Sequence, residues 1–365
     1  MALQLGIVGL PNVGKSTLFN ALTLAGAAVA NYPFTTISPN VGIVPVPDER
    51  LQRIAAIVKP ERTVPASLRV VDIAGLVKGA SQGEGLGNQF LAHIRDVDAI
   101  VMVARCFEDE SVPHVTDYLD PVEDIETLEL ELALADLAIM ERHLEQVRGR
   151  AKSRPKDFQE EIKTNERVIE ALRAGRPLRH LELEEAQRQF LKEVALLTTK
   201  PCLYVANVNE GDLPEGGKLA QRVREKAVQE GTEIVVLCAQ LEAELATWDA
   251  ADARSYLAQV GLTASGLERL IWAGYRLLDY VTFFTTTGGQ EVRAWTLHRG
   301  QTVLEAAEAI HSDMERGFIR AEVVGYNDLI STGAFARARE TGKLRLEGRD
   351  YVVQDGDVVH IRFAV

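Results

Sequence analysis

The residues best placed to do chemistry stand near the amino end, in Gly9-Leu-Pro-Asn-Val-Gly14-Lys15-Ser16. Two glycines at this spacing, followed by Lys-Ser, make a turn whose backbone N–H groups converge on phosphate oxygens. Lys15 supplies a point charge to the β- and γ-phosphates, and the Ser16 hydroxyl is a Mg²⁺ ligand. A helix opening at Ser16-Thr17 aims its positive end at the same anion. Further on, Asp72-Ile-Ala-Gly75 closes the apolar run LRVVDIAG. That spacing suits a carboxylate near Mg²⁺ and a backbone N–H facing a γ-phosphate. Between the two motifs, Thr35 and Thr36 lie in the Pro/Asn/Thr-rich stretch NYPFTTISPN. A Thr hydroxyl there completes a Mg²⁺ shell only while the γ-phosphate holds the loop. Asn207-Val208-Asn209-Glu210 follows another apolar run, and the Asn207 amide can face the N7/N6 edge of a purine.

These groups need a sheet to stand on. Apolar runs at 5–8, 68–75, 99–104, 201–206 and 233–237 alternate with helical stretches such as 16–25, 88–95 and 265–280. The alternation predicts an α/β unit with a mostly parallel sheet and flanking helices. Val41–Val44 reads as an edge strand, and the glycine-rich run GLVKGASQGEGLG as a second mobile loop. Leu130, Leu134, Leu137 and Leu144 form an apolar seam, as do Phe158, Ile162, Ile169 and Leu172, and then Phe190, Val194 and Leu197. They predict an inserted coiled-coil arm over 126–199, turning at Gly149–Pro155 and again at Gly175–Pro177. The sheet unit then spans 1–125 and 200–280. From 281 to 365 short strands surround a single helix at 302–315, a small separate β-rich domain in which Asp355-Gly356-Asp357 suits a hairpin turn.

Composition narrows the class. The chain has 365 residues, 46% of them hydrophobic, enough for real cores. No apolar run reaches the ~20 residues of a membrane span, and the start, MALQLGIVGL, has no basic segment of a signal peptide. The three cysteines have no metal-ligand spacing and read as reduced core residues, so the expected compartment is the cytoplasm. A net charge of −13 argues against wholesale coating of nucleic acid. The charge is uneven, however: Glu141–His180 carries eleven Lys/Arg against seven Asp/Glu, either a docking face for RNA or an acidic partner, or a solvated helix surface. Arg337, Arg339, Lys343, Arg345 and Arg349 pose the same choice.

The chain resembles the YchF subfamily of Obg-like P-loop NTPases along its whole length. The resemblance rests on GLPNVGKST, YPFTTISPN, DIAGLVKGASQGEGLGNQFL, NVNE and EGRDYVVQDGDVVHIRF. It implies a P-loop NTPase unit with the inserted arm and a C-terminal ubiquitin-like β-grasp (TGS) domain. It implies ATP preferred over GTP, and association with ribosomes or RNA. By position, Asn12, Val13, Gly14, Lys15, Ser16 and Thr17 would hold the phosphates, and Ser16 and Thr36 would hold Mg²⁺. Asp72 and Gly75 would sense the γ-phosphate. Asn207, Val208 and Glu210 would hold the base, beside a backbone contact at Cys238-Ala239. Asn12 matches a P-loop Asn that helps bind K⁺ in potassium-activated relatives. Guanine-specific relatives carry N-K-x-D where this chain has Val208 and Glu210, which places guanine preference in question.

Many relatives put a water-orienting Gln directly after D-x-x-G, where this chain has Leu76. Slow intrinsic hydrolysis follows, with Lys15 and the P-loop amides supplying charge stabilisation. His114, in the loop-like PHVTD stretch, is the first candidate to orient water, His93 the second, and K⁺ or a partner's side chain a third. A GTP-specific ribosome-assembly GTPase and a nucleotide-gated adaptor with incidental turnover remain the alternative readings.

Overall fold

The structure, a computed structural model, describes residues 4–29, 36–38, 40–73, 86–109, 111–113 and 118–364, with backbone alone at 26–29, 36–38 and 86–89. In chain order the first strands are β1 (Gln4–Val8), β2 (Thr36–Ser38), β3 (Val41–Pro45), β4 (Arg62–Val64), β5 (Ser67–Asp72), β6 (Ala99–Arg105), β7 (Cys202–Asn207) and β8 (Glu233–Leu237). All but β4 form one sheet in the order β2-β3-β5-β1-β6-β7-β8. β6 and β7 are buried at every position, which is why their sequences run apolar without alternation. β5, β1, β6, β7 and β8 are mutually parallel, as the alternating pattern requires. β3 is antiparallel to β5, and it is an inner strand: β2 pairs outside it and takes the edge.

Among the described residues ten α-helices accompany the sheet: α1 (Lys15–Val29), α2 (Glu49–Val58), α3 (Leu86–Asp96), α4 (Pro121–Ala151), α5 (Gln159–Arg173), α6 (Glu185–Val194), α7 (Gly217–Glu230), α8 (Ala239–Leu245), α9 (Ala250–Gln259) and α10 (Gly266–Leu277). α4 is the arm. Its 31 residues make a rod about 46 Å long. Asp120 caps it by accepting from Val122 N–H and Glu123 N–H. Its first turns belong to the sheet's core, through Ile125, Leu128 and Leu132. Further out, Met140 and Leu144 pack against Val168, Ile169 and Leu172 of α5 and Leu191 of α6.

The arm therefore carries a seam that differs from the expected one. Leu130 is 49% exposed and Leu134 half-buried, while Leu128, Leu132, Met140 and Val147 are buried. The reason is that α4 serves two partners, the sheet first and α5 later, so one leucine periodicity cannot run its full length. Leu197 likewise belongs to the sheet's core. Asp136, fully buried, fastens the arm's root. It accepts from Leu197 N–H at 2.9 Å, Thr198 N–H at 2.8 Å and the Thr198 hydroxyl at 2.7 Å.

The second sheet adds β9 (Tyr280–Thr287), β10 (Glu291–His298), β11 (Phe318–Gly325), β12 (Arg345–Glu347) and β13 (Asp357–Phe363). Its order is β12-β11-β13-β9-β10-β4, so a strand from residues 62–64 completes it, parallel to β10. Where one helix is expected there are four short ones: α11 (Val303–Ile310), α12 (Ser312–Arg316), α13 (Tyr326–Thr332) and α14 (Phe335–Glu340). Phe283, Leu297, Val303, Phe318 and Val323 fill its core. The turn at Asp355-Gly356-Asp357 does not join a hairpin, because β13 pairs with β11 and β9. Instead Asp355 accepts from Arg50 of α2 at 2.7 Å and from Thr282 N–H. Arg50 also grips Asp48 and lies 5.6 Å from the Phe284 ring centroid, joining the two sheets' surroundings.

Candidate nucleotide site

The site forms where β1 ends. Gly9 packs so tightly that a Cβ would stand 2.7 Å from the Val103 carbonyl oxygen. Gly14 has φ +94, and a Cβ there would stand 2.3 Å from Asn207 Nδ2. Both positions therefore demand glycine. Asn12 between them adopts φ 64, a region that Asn tolerates better than most residues. The turn ends in α1, whose first residue is Lys15. Val13 is buried and holds the turn down, while Ser16 and Thr17 are exposed at the helix start.

Lys15 is 8% exposed and donates from Nζ to the Leu10 carbonyl at 2.8 Å. Burial holds its pKa below the usual lysine value, and the nearby Asp72 carboxylate offsets part of that. Asp72 ends β5, directly beside β1. Its Oδ2 accepts from the Ser16 hydroxyl at 3.2 Å. Burial raises the Asp72 pKa, with the Ser16 hydrogen bond and the Lys15 charge working against the rise. Three of the predicted phosphate and metal residues are thus gathered in one place. Gly75, Leu76, Thr35 and His114 lie outside the described residues. Thr36 is on β2 by its backbone, and its side chain is outside them too. His93 is exposed on α3.

Does this corner suit Mg²⁺? Asp72 Oδ1 is buried and has no hydrogen-bond partner among the described residues. It sits next to a hydroxyl that already touches the other carboxylate oxygen. One carboxylate and one hydroxyl match an ion that keeps several waters and takes phosphate oxygens rather than a full protein cage. The described residues contain no group of three or more His, Cys, Asp or Glu side chains arranged to hold a metal ion, and a site of this kind needs none.

Asn207 ties the phosphate turn to the opposite wall. It is 5% exposed, donates from Nδ2 to Val13 O at 2.9 Å and accepts at Oδ1 from Ala239 N–H at 2.9 Å. One Nδ2 hydrogen remains for a ligand. Val208 is buried, its N–H given to Leu237 O, so its side chain belongs to the core. Glu210 is exposed in a short 3₁₀ turn and accepts from the Tyr256 hydroxyl on α9. Cys238 caps α8 beside this wall. All three cysteines are free and buried, and burial pushes the Cys106 and Cys202 thiols up to about 12.

Two residues of this neighbourhood escaped the sequence reading. Arg105 closes β6 almost wholly buried, donating to the carbonyls of Phe107, Asp109 and Pro113 and lying over the Phe107 ring at 4.7 Å. Asn12 Nδ2 donates to the same Pro113 carbonyl at 3.0 Å. A charged residue at the carboxyl end of a buried strand is the signal that was available, since ligands of such sheets bind there. Tyr256 carried no signal, because nothing in the sequence brings α9 to residue 210.

A parallel sheet with a phosphate-binding turn at its first strand, and an acid at the end of the neighbouring strand, defines a P-loop NTPase. A family profile described as "50S ribosome-binding GTPase" matches residues 4–142, and the YchF-GTPase C-terminal profile, described as a protein of unknown function, matches 280–364. A Bacillus subtilis (strain 168) protein named Ribosome-binding ATPase YchF is 52% identical over 367 residues, covering all of both chains. Its namesake in Escherichia coli O157:H7 is 48% identical, again in full. The solved structure of the Schizosaccharomyces pombe YchF GTPase superposes with a TM-score of 0.89 at 36% identity, covering 99% of this chain and 97% of that one. The chain belongs to the YchF family.

Proposed function

We propose that this chain is a nucleotide-dependent switch that hydrolyses ATP to ADP and phosphate, GTP less well, and acts at the ribosome or on RNA-associated partners. The observation that carries the reading is the corner where Lys15, Ser16 and Asp72 meet at the P-loop. The relatives' name, Ribosome-binding ATPase, supports both the nucleotide and the partner. Backbone amides of 12–17 cradle the phosphates, and Lys15 exchanges the Leu10 carbonyl for a charged phosphate oxygen. Ser16, Asp72 and Thr36 are the residues to hold Mg²⁺, which when bound neutralises charge developing on the phosphates. The amide oxygen of Asn12 is the atom suited to K⁺. Gly75 offers its N–H to the γ-phosphate, and His114 orients the attacking water. With Leu76 where relatives carry Gln, turnover is slow until a partner or K⁺ completes the arrangement. The base sits against Asn207 and Glu210, with Val208 behind them in the core.

The domains we assign are 1–125 with 200–280 for the nucleotide, a coiled-coil arm over 126–199, and a TGS domain over 281–365. RNA contact fits the arm's tip better than the C-terminal arginines. Among the described residues Arg339, Lys343 and Arg345 pair with Glu322, Asp328 and Glu347, Arg349 donates to the Phe318 carbonyl, and Arg337 is exposed with no ion pair. At the tip, Lys152, Arg154 and Lys156 are exposed, with no ion pair among the described residues. No helix among the described residues is long and apolar enough to cross a membrane; the relatives' ribosome-binding name is what supports a cytoplasmic site of action. Calorimetric titration with ATP and with GTP, each with and without K⁺, tests the reading. ATP binds more tightly if it is right, and GTP tighter by about tenfold (some 1.4 kcal/mol) overturns the base assignment.

A further inference from the structure

We propose that Tyr256 is a positioning residue for base selection, holding one oxygen of Glu210 so that the carboxylate reads adenine and not guanine. The inference rests on the reading above that Glu210 faces the base.

Guanine presents two parallel donors, N1–H and the exocyclic N2–H, which a carboxylate meets with both oxygens at once. Adenine presents one amino group next to a bare N1 acceptor. A carboxylate lying flat against that edge gains one hydrogen bond at one oxygen and sets its other oxygen against a lone pair. The arrangement that suits adenine therefore turns one oxygen away. In this structure the Tyr256 hydroxyl donates to Oε1 of Glu210, which takes one lone pair of that oxygen and limits rotation of the carboxylate. Glu210 Oε2 is left to the ligand.

The phenol is well held. Tyr256 packs on the cluster of Cys238, Leu241, Leu245 and Leu257. The Trp248 ring meets it edge-on at 5.5 Å and 70°. This cluster adjoins the wall of the P-loop: Cys238 precedes Ala239, whose N–H is fixed by Asn207, and Asn207 touches Val13. The chain of contacts runs from phosphate turn to Asn207, to Cys238-Ala239, to Tyr256 and back to Glu210. The longer reach of Glu compared with Asp is what lets residue 210 meet both Tyr256 and a base.

The test uses the full-length protein and calorimetric affinities for ATP and GTP. Tyr256→Phe keeps the ring in its cluster and deletes only the hydroxyl. The expected result is a fall of about tenfold in the preference for ATP over GTP, the size of one hydrogen bond to a charged group. An unchanged ratio, whether or not both affinities drop together, overturns the proposal. Leu257→Ala loosens the same cluster without removing the hydroxyl and is expected to shift the ratio less than Tyr256→Phe; a shift as large or larger makes the role merely structural and overturns it. Glu210→Gln separates the two readings. If Glu210→Gln alters the ratio and Tyr256→Phe does not, only the positioning role fails. If neither variant alters it, Glu210 does not read the base and the underlying reading fails too.

Discussion

Asp72 shows how one side chain's surroundings set its chemistry. Burial raises its pKa against the pull of Ser16 and Lys15. A carboxyl whose folded pKa exceeds its unfolded one favours folding below the unfolded value, and that contribution is lost as pH rises through the folded pKa. Cation binding has the opposite sense, because only the ionised form ligates. Mg²⁺-dependent nucleotide affinity should therefore weaken on acidification, and begin to weaken at higher pH than an ordinary aspartate would dictate. Calorimetry with and without Mg²⁺ across an acid series checks this, and Asp72→Asn should abolish the Mg²⁺-linked part of the dependence. At the same scale, Lys15 and Ser16 were legible because the P-loop encodes its chemistry in contiguous residues. Tyr256 was not, since it acts on Glu210, a partner 46 residues away that only folding brings near; Arg105 bonds locally and showed itself only as a charge at the end of an apolar strand.

Among the elements, the arm is where sequence and structure part most. Its helices were readable from apolar spacing, yet Leu130 faces solvent and Leu128 the core. A period can announce a helix without saying which of two neighbours each turn will meet. The unread α7, α8 and α9 follow from the same limit: α7 is mostly polar, with only Ala220, Val223 and Ala227 buried, so its apolar stripe is too thin to stand out. The arm's root depends on Asp136. Asp136→Ala leaves the Leu197 and Thr198 N–H groups buried without acceptors, and should cost about 2–4 kcal/mol by denaturant unfolding. The tip should behave differently. Reversing Lys152, Arg154 and Lys156 to Glu should leave stability and ATP affinity unchanged. It should weaken binding to ribosomes or RNA and flatten the salt dependence by up to roughly three counterions; unaltered binding would remove the tip from the interface.

For the whole molecule, the two sheets are less separate than their sequence textures suggest. The change of composition near residue 281 falls at the start of β9 (Tyr280–Thr287), but β4 comes from far upstream to complete that sheet. A three-residue strand, RTV, has too little pattern to be recognised in sequence, and its partner at 291–293 is more than two hundred residues away. Arg50 reinforces the join by holding Asp48 and Asp355 together. Arg50→Ala should lower the thermal midpoint and, with Asp355 left with only the Thr282 N–H, make proteolytic release of the C-terminal region easier, which limited digestion followed by mass spectrometry would detect.

Only Pro65 and Ala66 separate β4, at the rim of the C-terminal sheet, from β5, which delivers Asp72 to the phosphate corner. The backbone between them is a tether with almost no slack. With Asp72 at the cation as proposed, a partner docked on the C-terminal sheet would act on that carboxylate through eleven consecutive residues, 62 to 72, two short strands and the Pro65-Ala66 link between them.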